Sequence, residues 1–214
     1  MEPSELAALR AEYTAAGLTE ADAGDDPFAL LNRWLAEAVA AGIDEPNATA
    51  LATADAAGRP SVRTVLLKGL SAEGAVFYTN LESRKARELA ANPWAAAALL
   101  WRPLQRQVRI EGPVTLVPDD AADRYFASRP LGARLGAVAS HQSEPVASRD
   151  ELERAYAEVE GRYADGRVDR PDHWGGYVLG CASIEFWQGR PNRLHDRIRF
   201  TRDGSSWIRE RLQP

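Results

Sequence analysis

The stretch Ile-Glu-Phe-Trp-Gln-Gly-Arg-Pro-Asn-Arg-Leu-His-Asp-Arg (residues 184–197) carries the most specific information in the chain. Alternation at a period of two residues places Arg193, His195 and Arg197 on one face of a predicted strand. Two guanidinium groups and an imidazole on one face repel one another unless an anion lies among them, and Asp196 is predicted to point to the opposite face. The pattern therefore predicts a bound anion; a basic face exposed to solvent is the alternative.

A second group of cations lies at the predicted start of a helix, in Ser83-Arg84-Lys85. Ser83 suits the N-cap position, so both cations fall in the first turn, where the helix already carries partial positive charge. A bound phosphate would reverse this cost, because it accepts from free backbone N–H groups and pairs with both side chains. The alternative is a solvated pair between Arg84 and Glu88 at i,i+4.

A third pair of cations brackets the apolar run Arg63-Thr-Val-Leu-Leu-Lys68, which is predicted to form a buried strand. Because their separation is odd, Arg63 and Lys68 point to opposite faces of a regular strand. They could serve one ligand only near a strand end. The alternative is that both side chains extend to water from the ends of the strand.

Together the three clusters predict more than one phosphate-bearing, planar ligand. Trp187 offers a flat surface for an aromatic ring, although a single tryptophan also fits ordinary core packing. Flavin mononucleotide (FMN) and a pyridine phosphate would satisfy these demands, but the spacing of the residues alone does not name them.

Composition excludes several other classes of function. The formal net charge of −5 over 214 residues does not favour nucleic acid as a partner. Cys181 is the single cysteine, which excludes an intrachain disulfide, and it is predicted to be a small buried residue in a strand. The histidines His141, His173 and His195 lack the spacing of metal ligands, so no metal site is expected.

Two further features bear on location. The N-terminal Met-Glu-Pro-Ser-Glu lacks the basic and apolar regions of a signal peptide. The longest apolar run, residues 94–101, is too short to span a bilayer. We expect a cytoplasmic protein with no membrane partner.

The pattern of apolar residues and turn formers predicts many short strands with helices at the ends and in one insertion. Asp26-Pro27 is a helix start signal, an N-cap followed by proline at the first helical position. Predicted helices cover residues 4–18, 83–91, 118–128 and 148–164, besides the one that starts at Asp26-Pro27. Predicted strands cover residues 48–54, 61–70, 75–79, 94–101, 104–117, 175–188, 194–201 and 206–212. The short connections favour antiparallel hairpins, and the whole favours a β-barrel of the α+β class.

The sequence resembles the pyridoxamine/pyridoxine 5′-phosphate oxidase family nearly end to end. Residues 184–197 resemble the family signature without a gap. Other matching motifs, in order and spacing, are Arg63-Thr-Val-Leu-Leu-Lys68, Phe77-Tyr-Thr-Asn80, Ser83-Arg-Lys85 and Gln142-Ser143. The resemblance implies an FMN-binding split β-barrel, antiparallel and Greek-key-like with flanking helices. It also implies a homodimer with shared FMN sites. Residues 1–45 would be a helical segment of the same domain, and residues 46–214 the barrel domain with a helical insertion near 118–165.

The resemblance also implies roles for individual residues. The implied FMN contacts are Arg63, Leu66, Lys68, Tyr78, Thr79, Arg84, Lys85, Gln107, Gln142, Ser143, Trp187 and Arg197. The implied substrate contacts are Arg10, Tyr13, Lys68, Tyr125, Arg129, Ala133, Arg193 and His195. Arg193, His195 and Arg197 would be the catalytic residues, with Arg193 and His195 over the pyridine ring and His195 and Arg197 at the reacting side of the substrate.

The implied reaction is oxidation of pyridoxamine or pyridoxine 5′-phosphate by O2 to pyridoxal 5′-phosphate, with release of H2O2 and, from the amine, ammonia. One position departs from the family pattern: Ala133 stands where a serine is usual, four residues after Arg129. Two rival functions remain. One is a split-barrel oxidoreductase that uses a flavin or a deazaflavin on another substrate. The other is a non-catalytic carrier of FMN or pyridoxal phosphate.

Overall fold

The computed structural model describes Glu5, Tyr13, Ala15 and residues 17–214. Their contacts group into two compact units. The first contains the described residues of Met1–Thr49 together with Ala97–Glu111 and Cys181–Pro214, and the second contains Ala50–Ala96 and Gly112–Gly180. The prediction of one domain with an N-terminal helical segment at residues 1–45 stays a prediction.

The first unit is an antiparallel sheet packed against helices. Its helices are α1 (Glu20–Ala23) and α2 (Pro27–Ala40). The sheet begins with residues 106–111 of β6 (Arg106–Leu116). Next to them, in order, lie β8 (Ser183–Gln188), β9 (Asp196–Asp203) and β10 (Ser206–Arg211). Two short 3-10 turns, Arg102–Leu104 and Pro191–Arg193, also belong to this unit.

The register of these strands explains where the core of the first unit lies. Val108 faces Phe186 and Phe186 faces Ile198, so all three side chains point to the same face of the sheet. All three are fully buried. Trp34 of α2 packs edge-on against Phe186 with ring centroids 5.3 Å apart. The alternation of apolar residues in β6, β8 and β9 therefore fixes which side chains of residues 184–200 point away from the core.

The second unit combines the remaining strands with four helices. Its strands are β1 (Ala48–Ala54), β2 (Pro60–Leu66), β3 (Gly69–Ser71), β4 (Gly74–Asn80) and β7 (Trp174–Leu179), with parts of β5 (Trp94–Trp101) and β6. Its helices are α3 (Arg84–Ala91), α4 (Asp119–Ser128), α5 (Leu131–Ala139) and α6 (Arg149–Arg162). Strand β4 pairs antiparallel with β3 and with β7, and β7 pairs with residues 114–116 of β6. A core of Phe126, Leu135, Val159, Val168 and Trp174 lies among α4, α5, α6 and β7.

Most predicted elements are confirmed. Strands 48–54 and 94–101 have the predicted bounds, and α2 begins at Pro27 with Asp26 as its N-cap, whose carboxylate accepts from the Phe28 amide at 2.9 Å. The pairs β3–β4, β4–β7, β6–β7, β6–β8, β8–β9 and β9–β10 are antiparallel, as expected. No helix among the described residues has the length and apolar character needed to cross a bilayer.

Several expectations were wrong in detail. The predicted strands 61–70 and 175–188 are each divided in two, and Cys181 is buried between β7 and β8 and not within a strand. Helix α5 was not predicted, because its two glycines lower helix propensity; burial of Leu135 offsets that cost. Strand β2 is not buried, since Val62 is 68% exposed. The predicted helix at residues 4–18 lies mainly outside the described residues; of those described, Glu5 is helical, whereas Tyr13, Ala15, Gly17 and Leu18 are not.

Candidate active site

A cavity of about 1000 Å³ opens in the second unit, and its lining is strongly cationic. Of the described residues, twenty-two line it; five of these carry positive charge and none is a carboxylate. The cations are Arg63, Lys68, Arg84, Lys85 and Arg129. The predicted contacts Leu66, Tyr78, Thr79, Tyr125, Ala133, Gln142 and Ser143 line the same cavity. An anionic ligand in the cavity would thus meet five cations.

Lys85 is the most enclosed of these cations, with 7% of its surface exposed. Its ammonium donates to Thr79 Oγ1 at 2.8 Å, to Ser83 Oγ at 3.1 Å and to Gln142 Oε1 at 2.7 Å. Burial, and then the charge of Arg63, lower the pKa of Lys85 to about 8. Ser83 is the N-cap residue of α3 as predicted, but its hydroxyl accepts from Lys85 and makes no capping bond.

A buried carboxylate, Glu88, holds the two arginines of this group. It accepts from Arg84 Nε at 2.8 Å, from Ser61 Oγ at 2.6 Å and from Thr53 Oγ1, and it lies 3.4 Å from Arg63 Nη2. Burial alone would raise the pKa of Glu88, but the hydrogen bonds from Ser61, Thr53 and Arg84 outweigh it and lower the pKa to about 2. The pair of Arg84 and Glu88 that the sequence offered as an alternative is therefore present, but Glu88 is buried and not solvated.

Sequence reasoning missed how Glu88 acts on Arg63. Arg63 Nη1 donates to Thr53 Oγ1 at 2.6 Å and Nη2 donates to Ser61 Oγ, so the guanidinium is fixed by β1, β2 and α3 together. The i,i+4 spacing of Arg84 and Glu88 was the only signal in the sequence, since Arg63 is distant along the chain.

Arg63 and Lys68 line one cavity although their separation is odd. Strand β2 ends at Leu66, so the alternation of side chains stops before Lys68. Leu67 is buried, and the Lys68 amide donates to the Val76 carbonyl at 2.7 Å, which turns the chain toward β4. The sequence predicted that both cations could serve one ligand only near a strand end, and Lys68 lies just beyond the end of β2.

An aromatic stack forms another wall of the cavity. Tyr78 stacks on Tyr125 with ring centroids 4.0 Å apart and on Trp174 at 5.5 Å. Gly176 faces Tyr78 in the register of β4 and β7, and a Cβ at Gly176 would lie 2.6 Å from the Tyr78 ring. Glycine at this position therefore allows the ring to lie across β7.

Arg129 lies against this stack. Its guanidinium carbon is 4.8 Å from the centre of the Trp174 ring, and its buried Nη1 has no hydrogen-bond partner among the residues that the structure describes. Burial lowers the pKa of Arg129, and burial also raises the pKa of Tyr125. Ala133 presents only a methyl group here. An unpaired buried donor of this kind favours binding of an acceptor such as a phosphate oxygen.

The first unit contains the other predicted site residues: Tyr13, Gln107, Trp187, Arg193, His195 and Arg197. Gln107 faces Trp187 in the register of β6 and β8. Arg10 lies outside the described residues.

The predicted alternation of Arg193, His195 and Arg197 along one strand is wrong. Strand β9 begins only at Asp196, and Arg193 ends a 3-10 turn with φ of 61°. Arg197 is also not an unpaired cation, because Glu185 accepts from its Nε at 2.8 Å and from its Nη2 at 3.1 Å. The argument from repulsion among three cations therefore does not hold for this segment. Glu185, in the same motif but on the neighbouring strand β8, is the counter-ion of Arg197.

His195 is held in one orientation. Its Nδ1 accepts from the Arg190 amide at 3.1 Å, so a neutral ring carries its proton on Nε2. Burial, and then the charge of Arg193, lower the pKa of His195, which favours this neutral form. The ring centroid of His195 lies 4.7 Å from that of Trp187 and 5.4 Å from that of Tyr13. His195 can therefore donate one hydrogen bond from Nε2.

Comparisons with known proteins agree with the resemblance seen in the sequence. Residues 35–163 match the family model described as pyridoxamine 5′-phosphate oxidase, and residues 174–214 match the pyridoxine 5′-phosphate oxidase C-terminal dimerisation region. The chain belongs to the pyridoxamine 5′-phosphate oxidase family. Within this family it is 55% identical to a pyridoxine/pyridoxamine 5′-phosphate oxidase from Rubrobacter xylanophilus, over 98% of this chain and 97% of the relative. It is 54% identical to a protein of the same name from Burkholderia cenocepacia, over 98% of this chain and 99% of the relative.

Solved structures confirm the predicted split-barrel fold. PhzG from Burkholderia lata, crystallised with tetrahydrophenazine-1-carboxylic acid, is 34% identical, with a TM-score of 0.88 over 95% of this chain and 100% of that chain. A pyridoxamine 5′-phosphate oxidase-related, FMN-binding protein from Nostoc punctiforme is 19% identical, with a TM-score of 0.69 over 85% of this chain and 96% of that chain. The second likeness concerns the fold alone.

Proposed function

We propose that this oxidoreductase binds FMN and oxidises pyridoxamine and pyridoxine 5′-phosphate with O2. The products would be pyridoxal 5′-phosphate, H2O2 and, from the amine, ammonia. The observation that carries the proposal is the lining of the cavity in the second unit, where the described residues supply five cations and no carboxylate. Relatives that are named pyridoxine/pyridoxamine 5′-phosphate oxidase at 55% and 54% identity support the choice of substrate.

The cavity fits the phosphate of FMN. Arg63, Arg84 and Lys85 line it beside the N-terminus of α3, where free backbone N–H groups also favour an anion. Glu88 holds two of these cations in place before a ligand arrives, so little ordering remains to be done on binding. We assign Leu66, Lys68, Tyr78, Thr79, Gln142 and Ser143 as further contacts of FMN. When bound, FMN supplies the two-electron redox chemistry that amino-acid side chains lack.

A second phosphate fits the other end of the group of cations. Arg129 offers a buried nitrogen without a partner, and Lys68 and Tyr125 line the same cavity. We assign these three residues to the phosphate of the vitamer. The methyl group of Ala133 leaves out one hydroxyl donor, which would cost about 0.5–1.5 kcal/mol of binding without changing the reaction.

We propose that side chains of the first unit orient the substrate and donate hydrogen bonds to it. Glu185 fixes the guanidinium of Arg197 through two hydrogen bonds, and the Arg190 amide leaves His195 with a donor at Nε2. We assign Arg193 and His195 to the substrate ring and Arg197 to its reacting side. Tyr13 would complete the substrate contacts, as would Arg10, while Gln107 and Trp187 would contact the flavin.

We also propose a homodimer. The match of residues 174–214 to a dimerisation region supports it. Exposed apolar side chains support it too, since Leu100 is 55% exposed and Leu116 is 62% exposed. Size-exclusion chromatography with light scattering checks this assignment, and a monomer at micromolar concentration would contradict it.

The first experiment titrates protein stripped of flavin with FMN and with riboflavin, which lacks the phosphate. The proposal expects FMN to bind at least about 100-fold more tightly, because the phosphate meets three cations. Equal affinities for FMN and riboflavin would contradict the assignment of Arg63, Arg84 and Lys85 to the phosphate of FMN.

The second experiment adds each vitamer phosphate to the FMN-loaded protein in air and measures peroxide. Release of peroxide with both is expected. A flavin enzyme with another substrate would hold FMN and stay inert with both vitamers, and a carrier would bind ligand without any peroxide.

A further inference from the structure

The carboxylate of Asp196 holds the chain segment that precedes α1. Its Oδ2 accepts from the Leu18 amide at 2.9 Å, and its Oδ1 accepts from Arg211 Nη1 at 2.7 Å. Arg190 Nε lies 3.6 Å from Oδ2. The Asp196 side chain is 20% exposed, so these bonds are shielded from much of the competing water. Asp196 thus links a backbone amide of the N-terminal segment to the start of β9.

The two arginines that surround Asp196 bind the same segment from either side. Arg211 Nη2 donates to the Leu18 carbonyl at 3.0 Å, and Arg190 Nη1 donates to the Ala15 carbonyl at 3.2 Å. Between these points Gly17 has φ of +108°, and a Cβ there would lie 2.9 Å from Asp196 Oδ2 and 2.7 Å from Arg190 Nη1. The backbone at Gly17 therefore lies so close to the Asp196 carboxylate that a larger residue would not fit there.

The anchored segment carries Tyr13 to the proposed substrate residues. The Tyr13 ring meets His195 edge-on at 5.4 Å and Trp187 edge-on at 5.6 Å between centroids. A Cβ at Gly189 would lie 2.7 Å from the Tyr13 ring, so that position leaves room for the ring. Asp196 binds the Leu18 amide, so any effect on Tyr13 must pass along the chain between Leu18 and Tyr13.

We propose that Asp196 is a positioning residue that anchors the backbone at Gly17 and Leu18 and so holds Tyr13 against His195. The inference rests on the proposed function, because Tyr13 and His195 are the proposed substrate contacts. In this proposal Asp196, the acidic residue of Arg-Leu-His-Asp-Arg, orders a part of the chain that is distant in the sequence. A purely structural role would leave Tyr13 uninvolved.

The test compares Asp196→Ala with Gly17→Ala, which blocks the same approach but keeps the carboxylate. Asp203→Ala is the matched control, because Asp203 is an exposed residue at the far end of the same strand. In FMN-loaded protein, Asp196→Ala and Gly17→Ala are expected to lower kcat/KM for pyridoxine 5′-phosphate about 10-fold, mainly through KM, as the loss of one charge-assisted bond predicts. The affinity for FMN should stay within about twofold of the unaltered protein, and the control should change neither value.

A double-mutant cycle with Tyr13→Ala separates positioning from general destabilisation. If Asp196 acts through Tyr13, adding Asp196→Ala to Tyr13→Ala should lower kcat/KM by less than about twofold more. Two effects that multiply would overturn the proposal.

Hydrogen–deuterium exchange at the Leu18 amide, which donates to Asp196, gives a readout that needs no activity. Exchange should be about 10-fold faster in Asp196→Ala and in Gly17→Ala, since the amide is then less often bonded to the carboxylate. Unchanged exchange in both would refute the anchor. If the unaltered protein oxidises no vitamer, the proposed function fails, but the exchange rates still decide the anchor.

Discussion

Replacing Glu88 with glutamine removes the buried negative charge beside Arg63, Arg84 and Lys85. Glu88 is 5% exposed, and its pKa falls from 4.5 to about 2 in the folded protein. At about 1.4 kcal/mol per pKa unit this amounts to about 3 kcal/mol of stability at pH 7. Because the folded pKa is depressed, the contribution is present above pH 4.5 and is lost as the pH falls toward 2. At pH 3 about 1.5 kcal/mol should remain.

Urea unfolding of the flavin-free protein measures this contribution. Buffers without phosphate are needed, because an anion bound by the same cations would stabilise the folded state. Glu158→Gln is the control, since Glu158 is exposed on α6. Glu88→Gln should lower the free energy of unfolding by about 3 kcal/mol at pH 7, and by about half as much at pH 3. A loss below about 0.5 kcal/mol at pH 7, or one independent of pH, would refute the reasoning.

Three further predictions concern ligands. Burial holds the pKa of Lys85 at about 8, so its charge is lost as the pH rises from 7 to 9.5. Affinity for FMN should then weaken by up to about tenfold per pH unit above the pKa, while riboflavin affinity and Lys85→Met should show no such slope; a parallel slope for riboflavin would contradict this. Ala133→Ser should lower KM for pyridoxine 5′-phosphate about 2- to 10-fold by adding a donor beside Arg129, and steady-state kinetics showing no decrease would remove Ala133 from the phosphate site. Glu185→Gln should lower kcat/KM about 10-fold or more, as should Arg197→Met, with bound flavin retained in both; normal turnover in these variants would exclude a role for the pair.

Local patterns predicted much of the fold. The patterns of residues 175–188 and 194–201 predicted strands, which the structure contains with other bounds, and Asp26-Pro27 predicted the start of α2. These signals depend on neighbours along the chain, which is why they could be interpreted without coordinates. Helix α5 was not predicted from local signals, because its stability comes from burial of Leu135 against distant residues and not from helix propensity.

The candidate site was predictable in its residue types but less so in its electrostatics. Nothing in the sequence places Glu185 against Arg197 or Glu88 against Arg63, since each pair joins residues on different elements. The cationic-face argument failed for the same reason. Strand pairing and register supply the counter-ions, and both are long-range properties. The roles of the individual site residues and the cytoplasmic location stay predictions.

The measurement that tests the central proposal most directly is an anaerobic mixing experiment. Protein reconstituted with FMN is mixed under nitrogen with pyridoxine 5′-phosphate, and the visible flavin absorbance is followed with the formation of pyridoxal 5′-phosphate. We predict that the absorbance disappears as the aldehyde forms, and that admitting air restores it with release of an equal amount of H2O2. Unphosphorylated pyridoxine should react at least about 100-fold more slowly, because Lys68 and Arg129 then have no substrate phosphate to bind. A flavin spectrum that the vitamer phosphate leaves unchanged would contradict the proposed function.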